Sequence, residues 1–233
     1  MSFNFILVVC LAAVCCLTPF ALYLYWLSGV NRRPHPTVMS GSWDFTGLIL
    51  GLSGFVLFGG GLLLSLLQSN VRFLMRGNFE AVRAAWGQDR QTWALLAVIY
   101  AVAVVGGVLL TLKARRRTLV VYNVEPAVFE GTLAEVFDTL IGRPVERRGN
   151  LWVGGVPLLE LEPFDAGNTV TIRWVSDDEQ LFQELERQLR GAVNSVSSGD
   201  NIPARWMMSG AVGATVVVIF CLILLLYGMA IIR

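Results

Sequence analysis

Apolar positions in this chain gather into four long runs, at 3–30, 45–68, 92–112 and 206–232, and none contains Asp, Glu, Lys or Arg. Each exceeds the roughly 20 apolar residues needed to cross a hydrocarbon core about 30 Å thick. The pattern predicts four transmembrane helices. The first run lacks a positive amino-terminal region and is about twice as long as the 7–15 apolar residues of a secretory signal, so it is expected to be a retained span. Ala12-Ala13-Val14 ahead of Cys15 makes a poor lipoprotein cleavage site.

Between the third and fourth runs the periodicity changes. Residues 118–124 (TLVVYNV) are rich in β-branched and aromatic side chains and predict a strand. Pro126 opens a helical region in which Thr132-x-x-Glu135 makes a capping box. Leu133, Val136, Phe137, Leu140 and Ile141 recur there at helical spacing before Gly142, a C′ stop. Residues 144–148 and 151–153, parted by Gly149-Asn150, predict one bent strand or a small hairpin.

Residues 157–162 alternate, with Leu159 and Leu161 on one face and Glu160 and Glu162 on the other. A turn cluster at 165–168 and a strand at 169–175 follow. Ser176-x-x-Glu179 reads as a second capping box, and Leu181, Phe182, Leu185, Leu189 and Val193 form the stripe of a helix ending near Ser197. The expected fold is an α-helical membrane protein with four transmembrane helices and a small α+β two-layer sandwich between the third and fourth. Its β-α-β-β-β-α order resembles a ferredoxin-like or split-βαβ domain whose last strand is missing or replaced. The expected divisions are 1–117 with three spans and an Arg-rich loop at 69–91, 118–200 as the soluble domain, and 201–233 as tether and fourth span.

Charge sharpens this division. Residues 118–205 hold 14 of the 17 acidic side chains and 7 of the 18 basic ones, a net of −7, which leaves +8 elsewhere in a chain of net charge +1. An acidic domain argues against DNA or RNA, whose affinity rests on Lys and Arg neutralising phosphates. Lys113, Arg115, Arg116 and Arg117 directly follow the third span, and the positive-inside rule puts such a cluster in the cytoplasm. With Arg32, Arg33 and Arg205 that makes seven basic residues inside, against Arg72, Arg76, Arg83, Arg90 and Arg233 outside. Residues 72–90 could form an interfacial helix with its arginines along one edge and Phe79, Val82 and Trp86 on a neighbouring stripe. A solvated loop with a short helix is the competing reading.

Other features bear on packing. Trp26, Trp43, Trp93 and Trp206 sit at span ends, as an aromatic belt requires. Gly47 and Gly51 with Gly54, Ala97/Ala101, Ala103/Gly107 and Ser209/Gly213 provide small faces on which helices can approach, within one chain or between copies. Cys10, Cys15, Cys16 and Cys221 all fall inside spans and are expected to act as small apolar residues.

Candidate chemistry is sparse. His35, the sole histidine, has no His, Cys or carboxylate close in sequence. Glu160 and Glu162 could pair as acid and base but fit the solvent side of a strand. Asp177-Asp178-Glu179 fits the first turn of a helix, where the dipole favours acids. Arg143, Arg147 and Arg148 form the domain's one basic cluster, and Gly154-Gly155 lacks the surroundings of a phosphate loop. No residue is expected to be catalytic, cofactor-binding or metal-ligating.

The segment Trp26-Leu-Ser-Gly-Val-Asn-Arg-Arg-Pro-His-Pro, followed by Ser42-Trp-Asp-Phe-Thr-Gly, resembles uncharacterised multi-pass membrane proteins of planctomycete-type bacteria. The resemblance implies a bacterial inner membrane and no particular activity. The expectation is therefore a non-catalytic inner-membrane protein whose cytoplasmic domain mediates protein interaction, assembly or regulation. Its partners are the lipid bilayer and either another protein or a second copy. Two other readings stay open. One is a membrane enzyme or transport component holding an anionic lipid or small solute between Arg32/Arg33 and Arg115–Arg117. The other is a membrane-tethered ligand sensor with a concave apolar pocket.

Overall fold

The computed structural model describes residues 3–67, 84, 90–142, 145–196 and 201–232. In chain order its elements begin with α1 (Phe3–Val30), β1 (Thr37–Ser40), α2 (Gly41–Leu67), α3 (Arg90–Ala114), β2 (Thr118–Tyr122) and α4 (Pro126–Ile141). They continue with β3 (Glu146–Arg148), β4 (Leu151–Val153), β5 (Pro157–Phe164), β6 (Thr169–Trp174), α5 (Glu179–Val193) and α6 (Ile202–Ile232). Among the described residues four helices, α1, α2, α3 and α6, are long and apolar enough to cross a membrane. The 72–90 segment read as an interfacial helix lies outside the described residues except for Ala84 and Arg90, and so does Arg143.

The chain divides into two compact units, one of Met1–Leu24, Leu48–Leu110 and Ser209–Arg233, the other of Tyr25–Gly47 and Thr111–Met208. In the first, glycines let α2 approach its neighbours. A Cβ at Gly54 would fall 2.5 Å from Cys16 Cα and collide with the Cys15 carbonyl, and one at Gly51 would meet the Tyr23 ring at 2.7 Å. Phe20 and Phe55 pack edge to face at 5.9 Å. Tyr100 of α3 lies over Gly60 and donates its hydroxyl to the Val56 carbonyl at 2.5 Å. Ala97, Ala101 and Ala103, by contrast, are exposed. The cysteines occupy α1 and α6 as free thiols, with Cys10, Cys16 and Cys221 buried.

The second unit is an antiparallel sheet in the order β1-β2-β6-β5-β4-β3, packed under α4 and α5. Alternation places Leu119, Val121, Val170, Ile172, Leu159 and Leu161 on one face, where they meet Phe129, Leu133 and Phe137 of α4 and Phe182, Leu185 and Leu189 of α5. Each such side chain is worth roughly 1.5–3 kcal/mol on burial. The opposite face carries Glu160, Glu162, Thr171 and Arg173. Glu160 and Glu162 therefore lie opposite Leu159 and Leu161, as the alternation predicts.

Three local expectations need correction. The sheet does not begin at Thr118: β1 comes from the loop after α1, and Thr37 to Ser40 pair antiparallel with Tyr122 to Leu119. Thr132 is not a helix cap but lies inside α4, where its hydroxyl donates to the Val128 carbonyl at 3.2 Å. The helix starts earlier because Pro126 occupies its first turn, where a missing N–H costs nothing. Asp178 rather than Ser176 caps α5, accepting the Leu181 N–H at 2.9 Å. Residues 146–153 form a hairpin with Gly149 at φ +64°, and Gly142 ends α4 at φ +60°, a left-handed position suited to glycine. The aromatic ends also divide: Trp43 and Trp206 are 72% and 75% exposed, whereas Trp93 is 4% exposed.

Candidate functional site

The residues singled out from sequence do not converge. Glu160 faces Arg173 across the sheet at 3.9 Å. Asp177 and Glu179 pair with Arg117 at 3.4 and 3.2 Å. Arg147 bonds Glu130 and the Gly149 carbonyl, while Arg148 bonds Glu146 at 3.1 Å. Arg115 sits 3.6 Å from Asp44. Arg32/Arg33 and Arg115–Arg117 do not jointly border either of the two depressions on the second unit. Asn123, to which Arg33 is bonded, and Thr118, which follows Arg117, lie at opposite ends of β2. A five-residue strand separates such ends by about 15 Å at ~3.3 Å per residue.

The polar groups that do converge are ones the sequence reading passed over. Asn31, Asn123 and Asn201 are 1%, 3% and 5% exposed. Asn201, just ahead of α6, accepts the Ala204 N–H at 3.2 Å and donates its amide to Asn31 Oδ1 at 3.3 Å and Asn123 Oδ1 at 3.0 Å. Asn123 at φ +61° donates to the Arg33 carbonyl at 2.8 Å, and Asn31 donates to the Leu27 carbonyl at 3.1 Å. Ser28 adds a bond to the Ala204 carbonyl at 2.9 Å. This network joins the end of α1, the first loop, the end of β2 and the start of α6. Its signals were available: asparagine is favoured as a helix N-cap and is among the few residues that readily enter the left-handed region.

A second cluster lies within the same unit. Tyr122 donates its hydroxyl to Asp44, whose carboxylate also pairs with Arg115. The Arg115 guanidinium lies 5.3 Å from the Phe45 ring centroid, a cation–π distance. At Gly41 a Cβ would stand 2.8 Å from Thr118 Cβ, so only glycine lets the start of α2 touch β2. Glu184 on α5 has its pKa held below the ordinary glutamate value, first by the hydrogen bond from Gln188 and then by that from Arg187.

Two depressions open on this unit. One, of about 360 Å³, is bordered by Arg33, His35, Thr37, Arg190 and Asn194. The other, of about 600 Å³, lies among Asp165, Asn168, Ile202, Pro203, Trp206 and Met207. Among the described residues no group of three or more His, Cys, Asp or Glu is placed to hold a metal ion. No protein-family model, characterised protein or solved structure matches the chain. The four apolar helices and the separate antiparallel sheet define its class, a helical membrane protein carrying an α+β unit.

Proposed function

We propose that this is a non-catalytic multi-pass protein of a bacterial inner membrane whose α+β unit works from the cytoplasmic side as an interaction, assembly or regulatory module. The observation that carries the reading is the fastening of the sheet to helix ends. The asparagine network ties β2 to α1 and α6, and Tyr122–Asp44–Arg115 ties it to α2 and the exit of α3. A sheet fastened in this way is suited to presenting a surface, and Glu160, Asp177, Glu179, Arg117, Arg147 and Arg148 are engaged in ion pairs within the unit. The Arg115–Arg117 cluster supports the cytoplasmic side. The likeness of the 26–47 segment to planctomycete-type membrane proteins supports the bacterial membrane.

The sheet order also supports a split-βαβ, ferredoxin-like arrangement. β2 and β5 run parallel with β6 between them, α4 and the β3–β4 hairpin connect them, and β1 takes the edge place of the strand missing after α5. The small faces at Gly47/Gly51 and Ser209/Gly213 support association of helices, with a partner or a second copy, in the membrane. Extraction in mild detergent followed by affinity capture is expected to recover a stoichiometric partner or a homo-oligomer. A monodisperse, partnerless monomer contradicts the proposal. The apolar depression beside Trp206 favours a second reading, a membrane-tethered sensor, which requires saturable binding of an apolar solute abolished by Met207→Trp.

A further inference from the structure

We infer that the depression formed by the first loop and the end of α5 is a binding site for a phosphate group. Of the eight residues that border it, five have polar side chains, from two segments far apart in sequence: Arg33, His35 and Thr37 from the loop and β1, and Arg190 and Asn194 from the end of α5 and its cap. Arg33, Thr37, Arg190 and Asn194 can donate a hydrogen bond to a ligand, and among the described residues no Asp or Glu borders the depression.

Two of its side chains, Arg190 and His35, are held in place before any ligand arrives. Arg190 gives Nε and Nη2 to Glu186 at 3.2 and 2.7 Å and Nη1 to the Val38 carbonyl at 2.8 Å, which fixes its fork and leaves two of its five N–H groups uncommitted. The Arg33 carbonyl is bonded to the buried Asn123 amide at 2.8 Å, while its guanidinium has no carboxylate partner among the described residues. His35 Nδ1 lies 3.3 Å from the Val196 carbonyl. A carbonyl only accepts, so Nδ1 is the proton-bearing nitrogen of this contact and holds the ring at the rim of the depression. Pro34 and Pro36 lock φ on either side of His35. Such preorganisation lowers the ordering cost of binding.

Charge selects the ligand class. Two guanidinium groups outweigh the Glu186 carboxylate by one charge, and the α5 carboxyl end opposes them by only about half a charge. Exposed Arg32 adds to the positive side. A phosphate, with up to two negative charges and several free oxygens, gains more from this set than a carboxylate does. Arg33 stands three residues beyond the last residue of α1, a helix long and apolar enough to cross a membrane. The phosphate can belong to an anionic lipid headgroup or to a soluble phosphate compound, and the test separates the two.

Full-length protein in nanodiscs of phosphatidylcholine with one-fifth phosphatidylglycerol is released and weighed by native mass spectrometry, and inorganic phosphate is titrated calorimetrically in detergent. Wild-type protein is expected to keep phosphatidylglycerol, to bind phosphate, or both. Arg33→Gln/His35→Gln is expected to weaken whichever is seen by about tenfold or more, and Arg116→Gln to leave it unchanged. Lipid retention without phosphate binding assigns the headgroup, and the converse assigns the soluble compound. Absence of both overturns the inference, as does equal loss in Arg116→Gln, which would mark general surface attraction. Should the double variant misfold, Arg33→Gln alone, at an exposed side chain, gives the same reading.

Discussion

Asn201 donates its side-chain amide to Asn123 Oδ1 at 3.0 Å across 78 residues of chain, coupling the residue just ahead of α6 to the residue just after β2. The bond is buried and shares its donor with Asn31. The second unit depends on it because the same asparagine caps α6.

Asn201→Ala removes the cap, worth about 1 kcal/mol, and takes a buried donor from two carbonyl oxygens, worth about 1–3 kcal/mol. Thermal unfolding in detergent, followed by near-ultraviolet circular dichroism, should show a clear fall in Tm. Asn201→Asp is expected to fall as well, since it keeps the cap but sets a carboxylate against both oxygens. A Tm unchanged in both variants would falsify the structural role of the network.

Tyr122 and Asp44 give a cleaner energetic test. Tyr122→Phe and Asp44→Asn are each expected to destabilise, and their double-mutant cycle should return a coupling of about 1 kcal/mol or more, as contacting residues do. Additive single effects would mean that the pair does not interact in the folded protein.

Glycine substitutions in α2 should divide sharply. Gly54→Ala puts a methyl into the α1 backbone, which cannot yield as a flexible side chain can, and should cost about 1–3 kcal/mol. Gly59→Ala meets nothing within 4 Å and should be close to neutral. Stability and monodispersity of both variants, measured in the same detergent, check this. Equal tolerance at the two positions is incompatible with a close α1–α2 approach.

Acid sensitivity follows from Glu184. Its folded pKa lies below the ordinary glutamate value, so its contribution is present at neutral pH and is lost as pH falls through that depressed pKa. Glu184→Gln should flatten the pH dependence of stability below the ordinary carboxylate range and leave neutral pH little changed. A steeper acid limb in the variant would reverse the assigned sign.

The spans were legible because absence of charge over more than 20 residues is a strong local signal, and α5 because its apolar positions repeat at 3, 4 and 4. The strand β1 was not. Residues 37–40 are four in number, follow two prolines, and gain strand character only from a partner 80 residues away. The capping boxes misled for a related reason, since a Ser/Thr-x-x-Glu pattern says nothing about whether the preceding residues are already helical. Pro126 and Asp178 were the decisive groups. The candidate site was the least legible part. Its arginines come from the first loop and from α5, and only the folding of β1 onto β2 brings them together.

The central claim, that the first loop completes the sheet fastened to the helix ends, is open to one direct measurement. In a cysteine-free background Met39→Cys is combined with Val120→Cys, its partner across β1 and β2, or with Val121→Cys, the neighbour on the other face. Carbonate-washed membranes are oxidised, and the chain is cut at a protease site placed within residues 69–89. The account predicts that the two fragments stay joined for the 39/120 pair, part on reduction, and separate for 39/121. Fragments that separate in both cases, or protein released by the carbonate wash, would contradict it.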